Sequence, residues 1–189
     1  YLKDVLLPAL SGPKMTTPRI WSAASSYGHE PYSISIVVEE YLEKNPGSMP
    51  GGLQILGTDI STKVLKQAED AEYDILGLSR GLSEERKKKY FIKTSDGMEV
   101  RDKVRLRVSF QALNLLQSFS GLGKFDVIFC RNVLIYFSNK NKTHILDRMA
   151  ECLYPGGHLF LGASEPIANY SKRFELVSWP RGVIYRLAG

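Results

Sequence analysis

Hydrophobic and polar positions change period several times along the chain, and the changes divide it into strand–helix units. Leu2, Val5, Leu6 and Leu10 fall on one side of a helix that Ser11-Gly12-Pro13 ends. Arg19 to Ala24 reads as a buried strand, and Ser25-Ser26-Tyr27-Gly28 as the turn after it. Pro31 suits the first turn of a helix, where its missing N–H costs nothing. Ile34, Val37, Val38, Tyr41 and Leu42 continue at helical spacing up to Asn45-Pro46-Gly47. Leu53 to Asp59 predicts a second strand ending in an acid. Ser61 then caps a helix carrying Val64, Leu65 and Ala68. This alternation predicts a mostly parallel sheet with helices on both faces, an α/β domain.

The middle of the chain breaks the pattern. Leu82 to Arg107 is highly charged, and Ser95-Asp96-Gly97 reads as a turn between Tyr90-Phe91-Ile92 and an alternating run from Val100 to Val108. A small antiparallel hairpin, inserted at about 82–108, is expected. Val108-Ser109-Phe110 then leads into Asn114-Leu115-Leu116. Phe125 to Asn132 resumes as a buried strand with polar residues at its end. A helix follows over Lys140 to Leu153, with His144 and Arg148 facing outward. Tyr154 to Gly157 is a turn, and His158 to Gly162 another strand. Phe174–Val177 and Gly182–Leu187 read as a closing antiparallel pair. No internal repeat is visible.

A length of 189 residues suits one such domain. Hydrophobic residues at 43% and charged residues at 24% are ordinary for a soluble protein. The apolar runs are too short to span a bilayer, and Tyr1-Leu2-Lys3-Asp4 has no signal-peptide character. A cytoplasmic location without membrane insertion is expected. The chain opens without an initiator Met, so it is expected to be a fragment, with 1–15 the end of a preceding helical region and 16–189 the domain. Cys130 and Cys152 form neither a disulfide framework nor a metal-ligand spacing. The net charge of +5 favours acidic partners, but a nucleic-acid reading needs a clustered basic face as well, and no nucleic-acid partner is expected. Arg86-Lys87-Lys88-Lys89 follows Glu84-Glu85, and reads first as a solvated helix face and second as a docking patch for an acidic protein surface.

Ligands of open parallel sheets bind beyond the carboxyl ends of the strands. There the sequence puts Ser25 to Glu30, Asp59-Ile60, Asn114-Leu115 and Arg131-Asn132. With Gly28 alone, the first loop lacks the three glycines of a dinucleotide fingerprint. Asp59 reads either as a turn or cap residue or as an acceptor for two ribose hydroxyls. Glu30 either caps a helix or partners an ammonium group. Asn114 is either a turn residue or a partner for an adenine edge. His29, His144 and His158 are scattered, and none is assigned to catalysis.

Taken together these segments become specific. Arg19-Ile20-Trp21-Ser22-Ala23-Ala24 with Gly28-His29-Glu30-Pro31-Tyr32-Ser33 resembles the W-S-A…G-E-E-P-Y-S block of chemotaxis receptor methyltransferases, the CheR family. Thr58-Asp59-Ile60-Ser61 and Asn114-Leu115-Leu116 are similar to two further blocks. Phe125 to Phe137 resembles that family's F-D-x-I-F-C-R-N-V-x-I-Y-F signature. Leu153 to Gly157 and Gly162-Ala163-Ser164-Glu165 are similar to its L-x-P-G-G and G-x-S-E blocks.

The resemblance implies a class I S-adenosylmethionine-dependent methyltransferase fold, Rossmann-like, with a small inserted β-subdomain. It implies that Ala24, Gly28, Glu30, Asp59, Ile60, Asn114, Leu115, Arg131 and Asn132 line the cofactor pocket, and that Arg131 and Tyr136 face the acceptor carboxylate; the sequence itself shows no metal constellation, and no metal is expected. The implied reaction moves a methyl group to chemoreceptor glutamates, leaving S-adenosylhomocysteine. A receptor C-terminal tail is a candidate ligand of the β-subdomain, and a monomer is expected. A glutamate with a pKa of about 4.3 is already ionised at neutral pH, so no general base is needed.

Two departures stand out. Tyr27-Gly28-His29-Glu30 replaces the family's T-G-E-E, and Tyr27 is bulkier than Thr at the pocket entrance. The family's N-terminal domain and F-F-R segment are absent, so poor catalysis beside retained cofactor binding is expected. A non-catalytic cofactor sensor, or a methyltransferase with another acceptor, are the alternatives.

Overall fold

The computed structural model describes residues 1–12, 17–79, 81–167, 170–180 and 182–189. The chain opens on a π turn, Leu2–Leu6, running into α1 (Leu7–Leu10). Its wider, i→i+5 turn brings Leu7 inward beside Leu2 and Leu6 and leaves Val5 at the surface, unlike the face expected for a regular α-helix. Then come β1 (Arg19–Ala23), α2 (His29–Lys44), β2 (Gln54–Asp59), α3 (Thr62–Asp70), β3 (Glu72–Tyr73), α4 (Ile75–Ser79) and α5 (Glu84–Tyr90). Next are β4 (Phe91–Lys93), β5 (Met98–Val100), α6 (Asp102–Arg105), β6 (Val108–Ala112), β7 (Phe125–Cys130), α7 (Asn139–Glu151), β8 (Leu153–Leu161), β9 (Phe174–Val177) and β10 (Val183–Leu187).

Seven strands form one sheet in the order β6-β2-β1-β7-β8-β10-β9. The first five are parallel, and β10 runs antiparallel to both β8 and β9. The near-continuous apolar character of β1, β2 and β7 follows from burial on both faces. On one face Trp21, Phe125, Ile128, Ile145, Leu146 and Met149 share a cluster. On the other, Ile20, Val38, Ile55 and Val127 pack with the opening helix. The indole of Trp21 donates to Thr58 Oγ1 at 2.9 Å, so the buried N–H between β1 and β2 is not left unpaired.

The insertion differs from the expected hairpin at both ends. β3 belongs to the small sheet, ordered β3-β5-β4, although it lies well before residue 82. With two residues it is too short to show alternation. Val108 at the other end opens β6, paired in register with Ile55 of the main sheet. Val100 ends the expected hairpin's second arm, β5, paired with Phe91 of β4, but the run from Arg101 to Arg107 does not continue it as a strand. Val104 is buried on the helical turn α6, while Leu106, two residues on, is 81% exposed, which no alternating strand would show.

The basic run on α5 is in part a solvated face, with Lys88 and Lys89 exposed, and in part paired. Arg86 donates to both carboxylate oxygens of Glu40, at 2.7 and 2.9 Å, and Lys89 pairs with Glu43. Lys103 and Arg107 reach Glu43 and Glu39 of the same helix. The acidic stripe of α2 is thus the surface to which the insertion's cations dock. Among the described residues no helix is long and apolar enough to cross a membrane.

Candidate active site

The chain leaves β1 toward β2 and β6 on one side, then returns to β7 on the other. The order therefore reverses between β1 and β7, and a crevice opens beyond their carboxyl ends. Ala23 is level with Thr58 on one neighbour and Cys130 on the other. Register thus brings the first loop, Asp59 and Arg131 to one rim.

The first loop is built from left-handed backbone. Ala24, Ser26 and Gly28 have φ of 56°, 50° and 82°. For the two non-glycine residues this conformation costs of order 1 kcal/mol each. Asp59 offsets the cost: its Oδ2 accepts the Ser26 N–H at 3.0 Å and its Oδ1 the Ser61 N–H at 3.0 Å. Ser61 in turn caps α3 by accepting from the Val64 N–H. Both readings of Asp59, turn residue and ligand acceptor, are compatible: an ionised carboxylate has about four acceptor positions, and two are used. Ile60 beside it is 70% exposed.

Gly28 is enclosed as well as left-handed. A Cβ there would lie 2.9 Å from Ala68 Cβ and 3.1 Å from both Phe110 and the Tyr73 hydroxyl. Gly28→Ala is expected to cost about 2 kcal/mol in urea unfolding and to weaken S-adenosylhomocysteine binding. A wild-type unfolding midpoint would contradict this packing.

Glu30 lies in the first turn of α2. Its Oε1 accepts from the buried Ser22 hydroxyl at 2.8 Å, and its Oε2 from Arg131 Nη1 at 3.0 Å. Side by side at the rim stand a carboxylate able to hold an ammonium and a guanidinium able to hold a carboxylate. Tyr136 follows on a 3₁₀ turn, Leu134–Tyr136, and is 80% exposed. Cys130, beneath Arg131, is no nucleophile: burial, with the Glu165 and Glu30 carboxylates nearby, pushes its thiol well above the usual range.

Asn114 Oδ1 accepts the Leu116 N–H at 2.9 Å, while Leu115 is buried. This segment is held by Arg148. Its guanidinium lies over the Phe119 ring and donates to the carbonyls of Leu115, at 2.9 Å, and Gln117. Arg148 is therefore turned against the Asn114 loop and not outward as its helical position suggested.

Sequence reasoning missed a second organiser. Glu165 is 5% exposed, and its Oε1 accepts the N–H groups of Val133, Leu134 and Ile135, at 2.9, 2.7 and 3.3 Å. Its Oε2 accepts those of Asn132 and Gly162, at 2.6 and 2.8 Å. Asn132 is itself left-handed, with φ of 59°. A Cβ on Gly162 would lie 2.5 Å from both Asn132 Oδ1 and Glu165 Oε2. The G-x-S-E block was the available signal, but it says nothing of these partners.

The insertion also reaches the site. The Tyr73 hydroxyl donates to the Tyr27 carbonyl at 2.8 Å, and its ring lies 4.7 Å from that of His29. Burial raises the Tyr73 phenol above its ordinary value and lowers the His29 imidazole, against an upward pull from Asp74.

The crystal structure of a TehB-like SAM-dependent methyltransferase from Corynebacterium glutamicum is similar over 99% of this chain and 85% of its own, at 13% identity and a TM-score of 0.53. Sheet order and likeness together define the class: a class I S-adenosylmethionine-dependent methyltransferase fold. Residues 1–183 match the family model described as CheR methyltransferase, SAM binding domain. "Chemotaxis protein methyltransferase 1" of Pseudomonas aeruginosa is 47% identical, covering 98% of this chain and 68% of its own length. A protein of the same name from Vibrio cholerae is 48% identical, covering 98% and 67%. The chain belongs to the CheR methyltransferase family and is a SAM-dependent methyltransferase domain.

Proposed function

We propose that this domain transfers a methyl group from S-adenosylmethionine to glutamate side chains of chemoreceptors, forming methyl esters. One observation carries the reading: the Arg131–Glu30 pair, a guanidinium and a carboxylate side by side at the strand ends. The chemotaxis names of the relatives support the choice of acceptor.

The residues suit the cofactor. Asp59 retains free acceptor positions for ribose hydroxyls, and Glu30 offers a carboxylate to the methionyl ammonium. Exposed Ile60 and the Asn114-Leu115 segment offer an apolar surface and an amide for adenine. Ala24, Gly28 and Asn132 supply close backbone approach through left-handed conformations. Ser25 Oγ, buried and without a hydrogen-bond partner in the first loop, is a polar atom that a ligand would satisfy.

When bound, the cofactor supplies a sulfonium-activated methyl group. The chain's own task is orientation. Arg131 holds the acceptor carboxylate through its fork of donors, and Tyr136 steers one oxygen by a hydrogen bond. The carboxylate arrives ionised, so alignment takes the place of a base, an effect worth several kcal/mol.

We further read residues 1–15 as a lead-in from a preceding helical region, and 16–189 as the catalytic domain acting as a cytoplasmic monomer. Both β3 and β4 are edges of the small sheet, which supports a receptor tail pairing there as an added strand.

Calorimetric titration with S-adenosylhomocysteine tests the pocket. Asp59→Ala is expected to weaken binding by roughly tenfold to a hundredfold, as loss of charged hydrogen bonds would. Binding equal to wild type would remove Asp59 from the site. Transfer of labelled methyl to a chemoreceptor cytoplasmic fragment then separates an enzyme from a cofactor sensor.

A further inference from the structure

We propose that the acceptor protein docks through an acidic segment beside its methylated glutamate, on the strip formed by Ile135, Tyr136 and the amino end of α7 with Lys140 and Lys142. This rests on the reaction proposed above and adds the surface that recruits its substrate.

The strip begins where Arg131 stands. In the 3₁₀ turn Leu134 is buried, yet Ile135 is 50% and Tyr136 80% exposed. Two large side chains in a row are thus held toward water by a turn in which the Leu134 and Ile135 N–H groups donate to Glu165 and the Tyr136 N–H to the Val133 carbonyl. The exposure is built in and does not come from a loose loop. Beside it a groove of about 220 Å³ is lined by Ile135, Lys142, Pro166, Ile167, Tyr170 and Glu165, whose buried carboxylate is taken up by backbone N–H groups. Lys142 Nζ lies 5.1 Å from the centre of the Tyr170 ring.

The charge carried by the strip's own chain segment has one sign. No Asp or Glu occurs from Arg131 to Leu146. The first turn of α7 contains no acid but carries Lys140, and Lys142 follows two residues later. The amino end of a helix is already positive, so these lysines oppose the helix dipole. Among the described residues neither forms an ion pair, whereas Lys3, Arg86, Lys89, Lys103 and Arg107 are all paired with acids of α2. Uncompensated cations on a helix's positive end, adjoining exposed apolar side chains at the rim of the site, fit an anionic amphipathic partner. Its apolar side chains cover Ile135 and Tyr136, its acceptor glutamate meets Arg131, and neighbouring carboxylates meet Lys140 and Lys142.

The test is the double charge reversal Lys140→Glu with Lys142→Glu. Binding of a labelled chemoreceptor cytoplasmic fragment is followed by fluorescence anisotropy, alongside initial rates of methyl transfer. KM for the fragment and its Kd are expected to rise roughly tenfold, with a weaker salt dependence. The kcat value and the Kd for S-adenosylhomocysteine should stay at wild-type values. The melting temperature should hold or rise, because acids now occupy the positive end of α7. A fragment whose acids flanking the acceptor are replaced by glutamine should lose the same affinity, with no further loss on the reversed protein. Unchanged fragment affinity and KM in the reversed protein would overturn the docking surface while leaving the reaction intact. Lysine-dependent binding without methyl transfer would keep the surface and overturn the reaction. A fragment neither bound nor methylated would overturn both.

Discussion

Replacing Glu165 by glutamine is expected to destabilise the domain by about 3 kcal/mol and to lower its melting temperature by roughly 6–12 °C. The carboxylate is acceptor-only, and both oxygens are in use: three backbone N–H groups on one, two on the other. An amide presents N–H to one of those sets whichever way it turns. Buried donors then face a donor, with no water to take its place. Glu165→Ala should cost at least as much. Because the same N–H groups fix the turn after Arg131, S-adenosylhomocysteine affinity and methyl transfer should fall together. Urea unfolding of the variant measures the first effect; a loss under about 1 kcal/mol would mean that the network relaxes onto water and does not organise the loop.

Arg131→Ala is expected to do the reverse, leaving the fold almost untouched and removing the reaction. The Arg131–Glu30 pair is largely solvent-exposed on the arginine side, at 48%, and a pair of that kind is worth under about 1 kcal/mol. Turnover should nevertheless fall by about 10²–10³-fold, as when one oriented donor is removed from a reacting group. The Kd for S-adenosylhomocysteine should move by less than about tenfold, because Glu30 keeps its hydrogen bond from Ser22. Arg131→Lys keeps the charge but not the fork, and should recover only a small part of the rate. Turnover within twofold of wild type would exclude Arg131 from the chemistry.

Several elements were legible because their causes are local. The cap at Ser61, the buried strands at Arg19 to Ala23 and Phe125 to Cys130, and the closing antiparallel pair all follow from periodicity and capping chemistry. Elsewhere the sequence signal was ambiguous. The alternating run from Val100 to Val108 is divided among three elements: Val100 ends β5, Val104 is buried on the helical turn α6, and Val108 opens β6 of the main sheet. β3 is too short for any period to register. The pairing of Arg86 and Lys89 was hidden because their partners, Glu40 and Glu43, lie more than forty residues back in the chain.

The sequence by itself determined the α/β class, the family, and the residues gathered at the strand ends, since strand order and motif spacing carry that information. Only the tertiary structure decided which residues hold them there. Glu165 ties the Arg131 turn to the end of β8, Arg148 ties the Asn114 loop to α7, and Tyr73 ties the insertion to the first loop. Each acts on backbone groups from another segment, and a backbone N–H or carbonyl leaves no mark of its partner in the residue type. Side-chain chemistry can therefore be read along the chain, whereas the pairing of main-chain groups across it appears only when the segments meet.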